Sequence, residues 1–298
     1  MPIDGGEARD GGFEVDAASG ADGGNAEDAG PPQDAGIESD AGLASDAGTP
    51  LADGGASADA GTPDAGPAEL VDCAPYPGDG DEDDYTNLEQ LRDDALRAAL
   101  LVRVDRHNSL GYDNAKVALF GDGGIDIHEG VVECTYTARR YAPELLDRTA
   151  GYNVEHSWPQ SQGASEPIPR SDLHHLFPVE KNWNSARGTL AYGNTDCNMT
   201  ACRRSEGGSE IGPRIGGTEF VMEVRPERRG DIARAHFYFS VRYALPIPNV
   251  EESALRRWHH CDPPDTLEYD RNDAIEAVQG NRNPFVDRPE FVDYSTDF

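Results

Sequence analysis

The first seventy residues differ so strongly from the rest of the chain that they restrict where a fold can form. Residues 1–70 hold sixteen Asp and Glu but only one basic residue, Arg9, and one aromatic residue, Phe13, and the triplet Asp-Ala-Gly occurs six times among them. Such a segment buries too little apolar surface to offset the entropy lost on folding. We therefore predict a disordered, acidic, Ala/Gly/Asp-rich tail over 1–70 and one folded domain over 71–298.

The acidic charge of the chain is concentrated at its front. Residues 1–90 carry 23 acidic residues and one basic residue, a net charge of −22, which leaves −9 of the total of −31 for residues 91–298. The folded part is therefore only mildly acidic, and it keeps 24 basic residues that are able to contact a polyanion. The low isoelectric point does not exclude a nucleic-acid substrate.

The sequence contains no apolar run of the eighteen residues that a transmembrane helix needs, so no membrane span is expected. No secretory leader is visible at Met1.

The cysteines of the chain are sufficient for two disulfides and one free thiol. A disulfide between Cys197 and Cys202 is plausible, and the other pairing is left open. Cysteines together with a stalk-like tail favour an oxidising, extracytoplasmic location. The five cysteines are Cys73, Cys134, Cys197, Cys202 and Cys261.

One short stretch combines the side chains that phosphodiester hydrolysis requires. Glu155 and His156 are adjacent, and Asn184 and Arg187 follow about thirty residues later, with Arg170 between the two groups. Carboxylate and amide oxygens bind hard cations such as Mg²⁺, an imidazole accepts a proton from water near neutral pH, and a guanidinium binds phosphate. The pattern predicts a metal-dependent phosphodiesterase.

The local sequence indicates how these side chains are presented. Residues 152–156 follow a turn and are predicted to be extended, whereas the interval from Pro178 to Gly188 is predicted to be a short helix, because Pro suits a first helical turn and Gly the position after a helix end. Asn184 and Arg187 then share roughly one helical face. A strand that carries His156 beside a helix that carries an Asn is the layout of a ββα-metal nuclease.

Apolar periodicity predicts three further helices. One begins at a capping box formed by Thr86 and Glu89 and continues with an apolar stripe that includes Val102. A largely buried helix is predicted over 231–243, and a final helix over 270–279. Gly111 and Asn114 are expected to interrupt the chain after the first of these helices.

Five blocks of residues, in this order, resemble the bacterial endonuclease I family. The resemblance covers about residues 85 to 292, and five ordered blocks are far more specific than any one of them. It implies an α+β, mainly helical domain built around a ββα-metal (His-Me finger) core, and a secreted or periplasmic location. The blocks are Glu155-His156-Ser157-Trp158-Pro159; Asp172-Leu173-His174-His175-Leu176-Phe177-Pro178; Asn184 with Arg187-Gly188 and Gly193; Arg229-Gly230-Asp231-Ile232-Ala233-Arg234-Ala235 with Phe237-Tyr238 and Arg242-Tyr243; and Asn281-Arg282-Asn283-Pro284-Phe285-Val286-Asp287-Arg288-Pro289-Glu290.

The resemblance also implies roles for individual residues. His156 resembles the general base that deprotonates the attacking water, and Glu155 and Asn184 resemble the protein ligands of one catalytic Mg²⁺, for which Mn²⁺ or Ca²⁺ are possible substitutes. Such enzymes cleave DNA, and often RNA, with little sequence preference and leave 5′-phosphates. Either Arg170 or Arg187 is expected to hold the phosphate. We expect a monomer whose partner is nucleic acid.

Two alternatives from other functional classes remain open at this point. Asp172, His174 and His175 form an Asp-x-His-His pattern that is able to build a zinc hydrolase. The domain is alternatively a catalytically inactive binding domain displayed on a surface. Trp158 and Trp183 either stack on bases or pack in the core, and packing is favoured.

Overall fold

A computed structural model of the protein describes residues 85–197 and 202–298. The predicted tail over 1–70 therefore lies outside the described residues, as does Cys73. Eight helices and seven short strands occur within the described ranges. The helices are α1 (Asp93–Val104), α2 (Tyr112–Phe120), α3 (Pro167–Arg170), α4 (Lys181–Arg187), α5 (Arg229–Tyr243), α6 (Asn249–Cys261), α7 (Thr266–Gln279) and α8 (Pro284–Asp287). The strands are β1 (Val132–Glu133), β2 (Arg140–Tyr141), β3 (Tyr152–His156), β4 (Leu176–Glu180), β5 (Arg204–Glu206), β6 (Ser209–Pro213) and β7 (Phe220–Glu223).

The described part is a mixed α+β structure, as predicted. Its strands form three small antiparallel sheets, in the orders β1-β2, β3-β4 and β5-β6-β7. No strand in this part exceeds five residues, whereas α5 has fifteen, so the helices supply most of the core. No helix in the described ranges is long and apolar enough to cross a membrane.

Helix α5 forms the centre of the core, which confirms the buried helix predicted over 231–243. Eleven of its fifteen residues are buried, so the helix is covered on nearly every side rather than along one stripe. Its one fully buried cation, Arg234, donates to both carboxylate oxygens of Glu268 on α7, at 2.7 and 2.5 Å. This pairing compensates the charge that burial would otherwise leave unsolvated.

A β-hairpin followed directly by a helix carries the predicted site. Strands β3 and β4 pair antiparallel, with Glu155 opposite Phe177 and His156 opposite Leu176, and α4 begins at the residue after β4 ends. The extended conformation predicted for 152–156 is confirmed. The helix predicted from Pro178 is wrong in its start, because all five residues of β4 are buried against β3 and the strand continues to Glu180.

The start of α1 also differs from the prediction. Residues 85–90 form turns, and α1 begins at Asp93 without a side-chain cap, so the capping box at Thr86 does not start a helix. The stripe that α1 buries consists of Leu96, Leu100 and Val104, whereas Val102 is 62 % exposed. The helix was therefore predicted correctly from its periodicity, but the residues assigned to its buried stripe were the wrong ones.

Four helices, α2, α3, α6 and α8, were not predicted from the sequence, and α7 was predicted too short. Gly111 lies in the non-helical segment between α1 and α2, as predicted, whereas Asn114 lies inside α2 and does not interrupt it. Helix α6 covers a segment for which no helix was expected. Helix α7 begins four residues before the predicted start at Asp270, because Asp265 caps it by accepting a hydrogen bond from the Glu268 amide at 2.9 Å.

The cysteines agree with the predicted short loop. Cys197 and Cys202 form a disulfide, and Cys261 is also disulfide-bonded. Cys134 is a buried free thiol that accepts a hydrogen bond from the Glu180 amide at the end of β4, at 3.3 Å. A weak sulfur acceptor satisfies a backbone donor there that the hairpin leaves unpaired.

Candidate active site

Four of the five predicted site residues line one open cleft of about 500 Å³: Glu155, His156, Asn184 and Arg187. The first two come from the end of β3 and the last two from α4, so the hairpin and the helix together form the floor of the cleft. Its remaining lining residues are Tyr112, Asn153, Val154, Pro159, Gln160, Ser161, Gly188 and Thr189.

Glu155 is a buried carboxylate with one oxygen held from behind. Its Oε1 accepts hydrogen bonds from the Tyr136 hydroxyl and from Nη1 of Arg187, both at 2.9 Å, and the side chain is 2 % exposed. Burial raises the pKa of Glu155, and Arg187 and Tyr136 oppose that rise by stabilising the charged form. Its Oε2 has no hydrogen bond to the described residues, which leaves this oxygen available to a ligand in the cleft.

Arg187 is turned inward rather than toward the cleft opening. Its Nε donates to the Leu190 carbonyl at 3.1 Å, Nη1 to Glu155 and to the His156 carbonyl, and Nη2 to the Ser157 carbonyl at 2.8 Å. The guanidinium also lies over the Tyr192 ring, 4.5 Å from its centroid. Four of its five donors are thus used, three of them at the end of β3, which favours a positioning role for Arg187 over direct phosphate contact.

His156 has its two ring nitrogens in different environments. Nε2 lies 3.1 Å from the Arg170 carbonyl oxygen, which only accepts, so this nitrogen carries the hydrogen. Nδ1 is then the unprotonated nitrogen, and it lies 3.3 Å from the amide nitrogen of Gln160, which donates to it. Burial lowers the pKa of His156 to about 4, although the hydrogen bond to Arg170 opposes the shift. The imidazole is therefore neutral at pH 7, with a basic lone pair on the nitrogen that faces Gln160.

Asn184 joins α4 to β3 through its amide nitrogen. Nδ2 donates to Oδ1 of Asn153 at 2.9 Å and to the Val154 carbonyl at 3.1 Å. Because both amide hydrogens point to the strand, the side-chain carbonyl oxygen is the group that remains for a ligand. The side-chain oxygen of Asn184 and Oε2 of Glu155 therefore belong to two residues that line the same cleft.

Arg170 lies at the edge of this cleft, on α3. Its side chain is exposed, and its guanidinium lies 4.5 Å above the Tyr112 ring, which in turn lies 5.4 Å from the His156 ring. No hydrogen bond or ion pair to the described residues holds this guanidinium. Stacked on an aromatic ring but otherwise unpaired, Arg170 is better placed than Arg187 to bind a phosphate.

Comparison with known proteins identifies the family of this chain. The model of the endonuclease I family matches residues 97–290. The chain belongs to this family. It is 33 % identical over 223 residues to an extracellular ribonuclease of Bacillus amyloliquefaciens, covering 67 % of this chain and 73 % of that protein.

Two further relatives differ in the nucleic acid for which they are named. An extracellular ribonuclease of Bacillus subtilis (strain 168) is 31 % identical over 232 residues, or 70 % of this chain and 76 % of the relative. An extracellular deoxyribonuclease of Aeromonas hydrophila is 28 % identical over 131 residues, or 42 % of this chain and 54 % of the relative. As a member of the endonuclease I family, the protein is an endonuclease.

The structure does not assemble the alternative zinc site, and Asp172 shows why. Its Oδ2 accepts from the hydroxyls of Tyr238 and Tyr243, both at 2.8 Å, and its Oδ1 accepts from the His174 amide and from Gln279. The carboxylate is fully buried, and it joins α5 to α7. Asp172 is therefore a structural acceptor in this endonuclease I domain.

The two histidines of the same pattern also point away from a common ligand. Nε2 of His174 bonds to the Asn281 carbonyl at 3.2 Å, whereas Nε2 of His175 bonds to the Pro169 carbonyl at 2.7 Å. Among the described residues, one group of His, Cys, Asp or Glu side chains has ligand atoms close enough for a metal, and its two cysteines are bonded to each other. The zinc alternative is therefore wrong.

Several site residues were missed because only the fold brings them to the cleft. Tyr136 lies nineteen residues before the carboxylate that it contacts, and Tyr112 is forty-four residues before His156. Gln160 follows His156 by only four residues, but no local sequence pattern marks its amide as a hydrogen-bond partner of Nδ1. Trp158 and Trp183 are buried, which confirms the prediction that they pack in the core.

Proposed function

We propose that this endonuclease is a divalent-cation-dependent, sequence-nonspecific hydrolase of DNA and RNA phosphodiester bonds, with His156 as its general base. The observation that carries the proposal is the tautomer of His156. A backbone carbonyl holds the hydrogen on Nε2, so the basic Nδ1 belongs to the same cleft as the free oxygens of Glu155 and Asn184. The order β3-β4-α4 supports a ββα-metal core, because it places base and cation ligands on adjoining elements.

The donor atoms of the cleft fit a hard cation. Glu155 and Asn184 offer two oxygens, and Mg²⁺ is commonly held by one or two protein oxygens with water completing its shell. When bound, Mg²⁺ would neutralise charge that develops on the phosphate and on the leaving oxygen. Mn²⁺ or Ca²⁺ are possible substitutes, since they also prefer oxygen ligands. Burial of Glu155 beside one arginine keeps its geometry fixed before any cation arrives.

His156 and Arg170 supply the remaining chemistry. Nδ1 of His156 takes a proton from a water molecule whose oxygen forms a new bond to phosphorus, while the bond from phosphorus to the 3′-oxygen breaks. The leaving 3′-oxygen takes up a proton from solvent, and the phosphate remains on the 5′ end. Arg170 binds the non-bridging oxygens, where a planar guanidinium is suited to two parallel hydrogen bonds.

The substrate class is proposed from contacts and from relatives together. Two of the relatives are named ribonucleases, and another is named a deoxyribonuclease. The groups available in the cleft are cationic or polar and suited to phosphate, and such contacts carry little sequence information. Both DNA and RNA are therefore substrates in our proposal. Several relatives are named extracellular or periplasmic, so we propose a secreted or periplasmic location.

The cation ligands are tested by replacing Glu155 and Asn184 with alanine and assaying nicking of supercoiled plasmid and cleavage of RNA. Wild type should cut both with Mg²⁺ and neither with EDTA. Each variant should need roughly tenfold more Mg²⁺ or worse for half-maximal rate, because even outer partners of a ligand contribute about 10- to 100-fold in metal affinity. Asn182→Ala, an exposed position on the same helix, is the matched control and should behave as wild type.

Thr189→Ala tests whether a different residue supplies the second oxygen ligand, since Thr189 lines the same cleft one residue beyond Gly188. If Thr189→Ala shifts the Mg²⁺ requirement and Asn184→Ala does not, the second oxygen ligand is misassigned. Lack of cutting by the wild type with every divalent cation would instead favour a binding domain without catalytic activity.

The pH dependence of the reaction follows from the burial of His156. Its pKa of about 4 means that the base form is fully present at pH 6 and is lost only as pH falls through about 4. An exposed imidazole would lose half its activity near pH 6.5. We expect kcat/KM on a single-stranded oligonucleotide, with excess Mg²⁺, to stay level from pH 7 to pH 6 and to fall below about pH 5. Half-maximal activity near pH 6.5 would contradict this expectation.

Glu155 should also become protonated as the pH falls, because burial raises its pKa. Its protonation opposes cation binding, so that part of the acid loss should be reversed by more Mg²⁺. Protonation of His156 is not reversed in this way, and repeating the profile at two Mg²⁺ concentrations separates the two groups.

A further inference from the structure

A single short turn holds both the base and the proposed phosphate ligand, and a second imidazole supports that turn. Helix α3 consists of four residues, Pro167 to Arg170. The Arg170 carbonyl accepts from Nε2 of His156 at 3.1 Å, and the preceding carbonyl, of Pro169, accepts from Nε2 of His175 at 2.7 Å. Two adjacent carbonyls at the end of α3 therefore have histidine donors.

We propose that His175 is a positioning residue of the nuclease reaction. By holding the Pro169 carbonyl, it places the Arg170 carbonyl that selects the tautomer of His156, and it places the Arg170 guanidinium at the edge of the cleft. This inference rests on the proposed function, in which His156 is the base. His175 does not touch the substrate in this account, and it acts through α3.

Few main-chain donors lie within this turn, and side-chain donors complete its hydrogen bonding, among them the Ser171 hydroxyl, which donates to the Pro167 and Ile168 carbonyls. Two of its four residues are prolines, which lack a backbone N–H, and the last carbonyls of any helix have no partner within the helix. The main-chain bonds at α3 run from the Arg170 amide to Glu166 and from the Ser171 amide to Ile168, at 2.9 and 3.1 Å, and a longer one of 3.4 Å runs from the Asp172 amide to the Pro169 carbonyl. Nε2 of His175, at 2.7 Å, is a closer donor to that carbonyl and comes from another segment.

His175 is connected to the site on two sides. The His175 carbonyl accepts a hydrogen bond at 2.9 Å from the amide of Ser157, the residue directly after His156. The His175 ring lies 5.4 Å from the His156 ring in an edge-on arrangement. Its ring also packs against the Phe239 ring on α5, with the centroids 4.5 Å apart. The imidazole is thereby held between the core helix and the base, and its movement would be transmitted to both β3 and α3.

The choice of histidine at this position is informative. His175 is fully buried, and its Nδ1 has no partner among the described residues. An apolar side chain would fill the same space without leaving a nitrogen unpaired, so packing alone does not explain an imidazole here. The requirement for an Nε2–H donor does. Burial also lowers the pKa of His175 to about 3, so this donor stays neutral over the working pH range.

The adjacent histidine is a matched control. His174 is also buried, and its Nε2 bonds to a backbone carbonyl, but that carbonyl belongs to Asn281, and the ring packs on Tyr238 at 4.4 Å. Among the described residues, none of its hydrogen bonds or ring contacts is to α3. A substitution at His174 therefore reproduces the loss of a buried imidazole without affecting the turn.

The test uses the full chain labelled with ¹⁵N-histidine, and compares His175→Leu, His175→Gln, His175→Asn and His174→Leu. Two-bond ¹H–¹⁵N spectra report the tautomer of each of the eight histidines, with His156 identified from its missing signal in His156→Ala. We expect His156 to be the Nε2–H tautomer in wild type and in His174→Leu, and a mixture in His175→Leu. Turnover should fall roughly 10- to 100-fold in His175→Leu, mainly in kcat, as for other supporting partners of site residues.

Rescue separates positioning from stability. The Gln amide reaches about as far as Nε2 of histidine and should restore the tautomer and most of the turnover, whereas Asn is shorter by one methylene and should not. Equal behaviour of Gln and Asn, or a folded His175→Leu with a wild-type His156 signal and wild-type kcat, would overturn the inference. If His175→Leu does not fold, the comparison of Gln with Asn decides. Failure of the proposed function appears differently, as a wild type that cuts no nucleic acid, and the spectra still test His175 in that case.

Discussion

Replacing His156 with alanine is expected to lower kcat by about 10²- to 10⁴-fold, the usual contribution of a general base. The cleft should remain otherwise intact, because His156 contributes one hydrogen bond to α3 while Glu155 and Arg187 retain their own contacts. Nucleic-acid affinity and the unfolding midpoint should therefore change little. Single-turnover cleavage of a labelled oligonucleotide gives the rate, and anisotropy of the same oligonucleotide with EDTA gives the affinity.

Two further measurements make this result specific to the base. Added imidazole should partly restore cutting by His156→Ala, because a small diffusible base is able to occupy the space that the side chain leaves. His128→Ala removes an exposed imidazole outside the cleft and should cut at the wild-type rate. If His156→Ala cut plasmid at the normal rate, the assignment of the base would be wrong and Nδ1 would have no chemical role.

The second large effect concerns stability. Arg187→Met should lower the free energy of unfolding by roughly 3–5 kcal/mol, the range for breaking a buried ion pair by removing one partner. The substitution leaves the buried carboxylate of Glu155 without its cation and takes the donors from the carbonyls of His156, Ser157 and Leu190. Urea unfolding with EDTA present measures this loss without compensation of Glu155 by a bound cation.

Arg170→Ala should show the opposite pattern. Its exposed guanidinium makes no hydrogen bond to the described residues, so the unfolding midpoint should stay unchanged. Cleavage should fall about 10- to 100-fold, corresponding to the 1.5–3 kcal/mol of a hydrogen bond to a charged group. Arg148→Ala, at another exposed arginine outside the cleft, should alter neither quantity.

The contrast between these two arginines decides which one holds the phosphate. An Arg187→Met protein of wild-type stability that lost only its affinity for nucleic acid would show that Arg187, not Arg170, contacts the substrate. Loss of stability in Arg170→Ala would show that its stacking on Tyr112 supports the fold. We expect the buried guanidinium of Arg187 to support the fold and the exposed guanidinium of Arg170 to contact the substrate.

Local sequence patterns were sufficient for the elements whose cause is local. The extended segment that ends at His156 and the buried helix over 231–243 follow from side-chain periodicity and from nearby turn residues, and both are present. Boundaries were less predictable. Pro178 is compatible with both a helix start and a strand, and pairing with Val154 across the hairpin, which is not a local property, decided for the strand.

The amino-acid sequence by itself predicted a folded domain after residue 70 and indicated which side chains belong to the candidate site. Only the tertiary structure decided which groups each of these side chains contacts. Arg187 and Arg170 look alike in a sequence, yet one is enclosed by three carbonyls and a carboxylate and the other is stacked at the surface. Burial and hydrogen-bond partners set the protonation and orientation of a side chain, and here those partners often lie far away along the chain, where no local pattern records them.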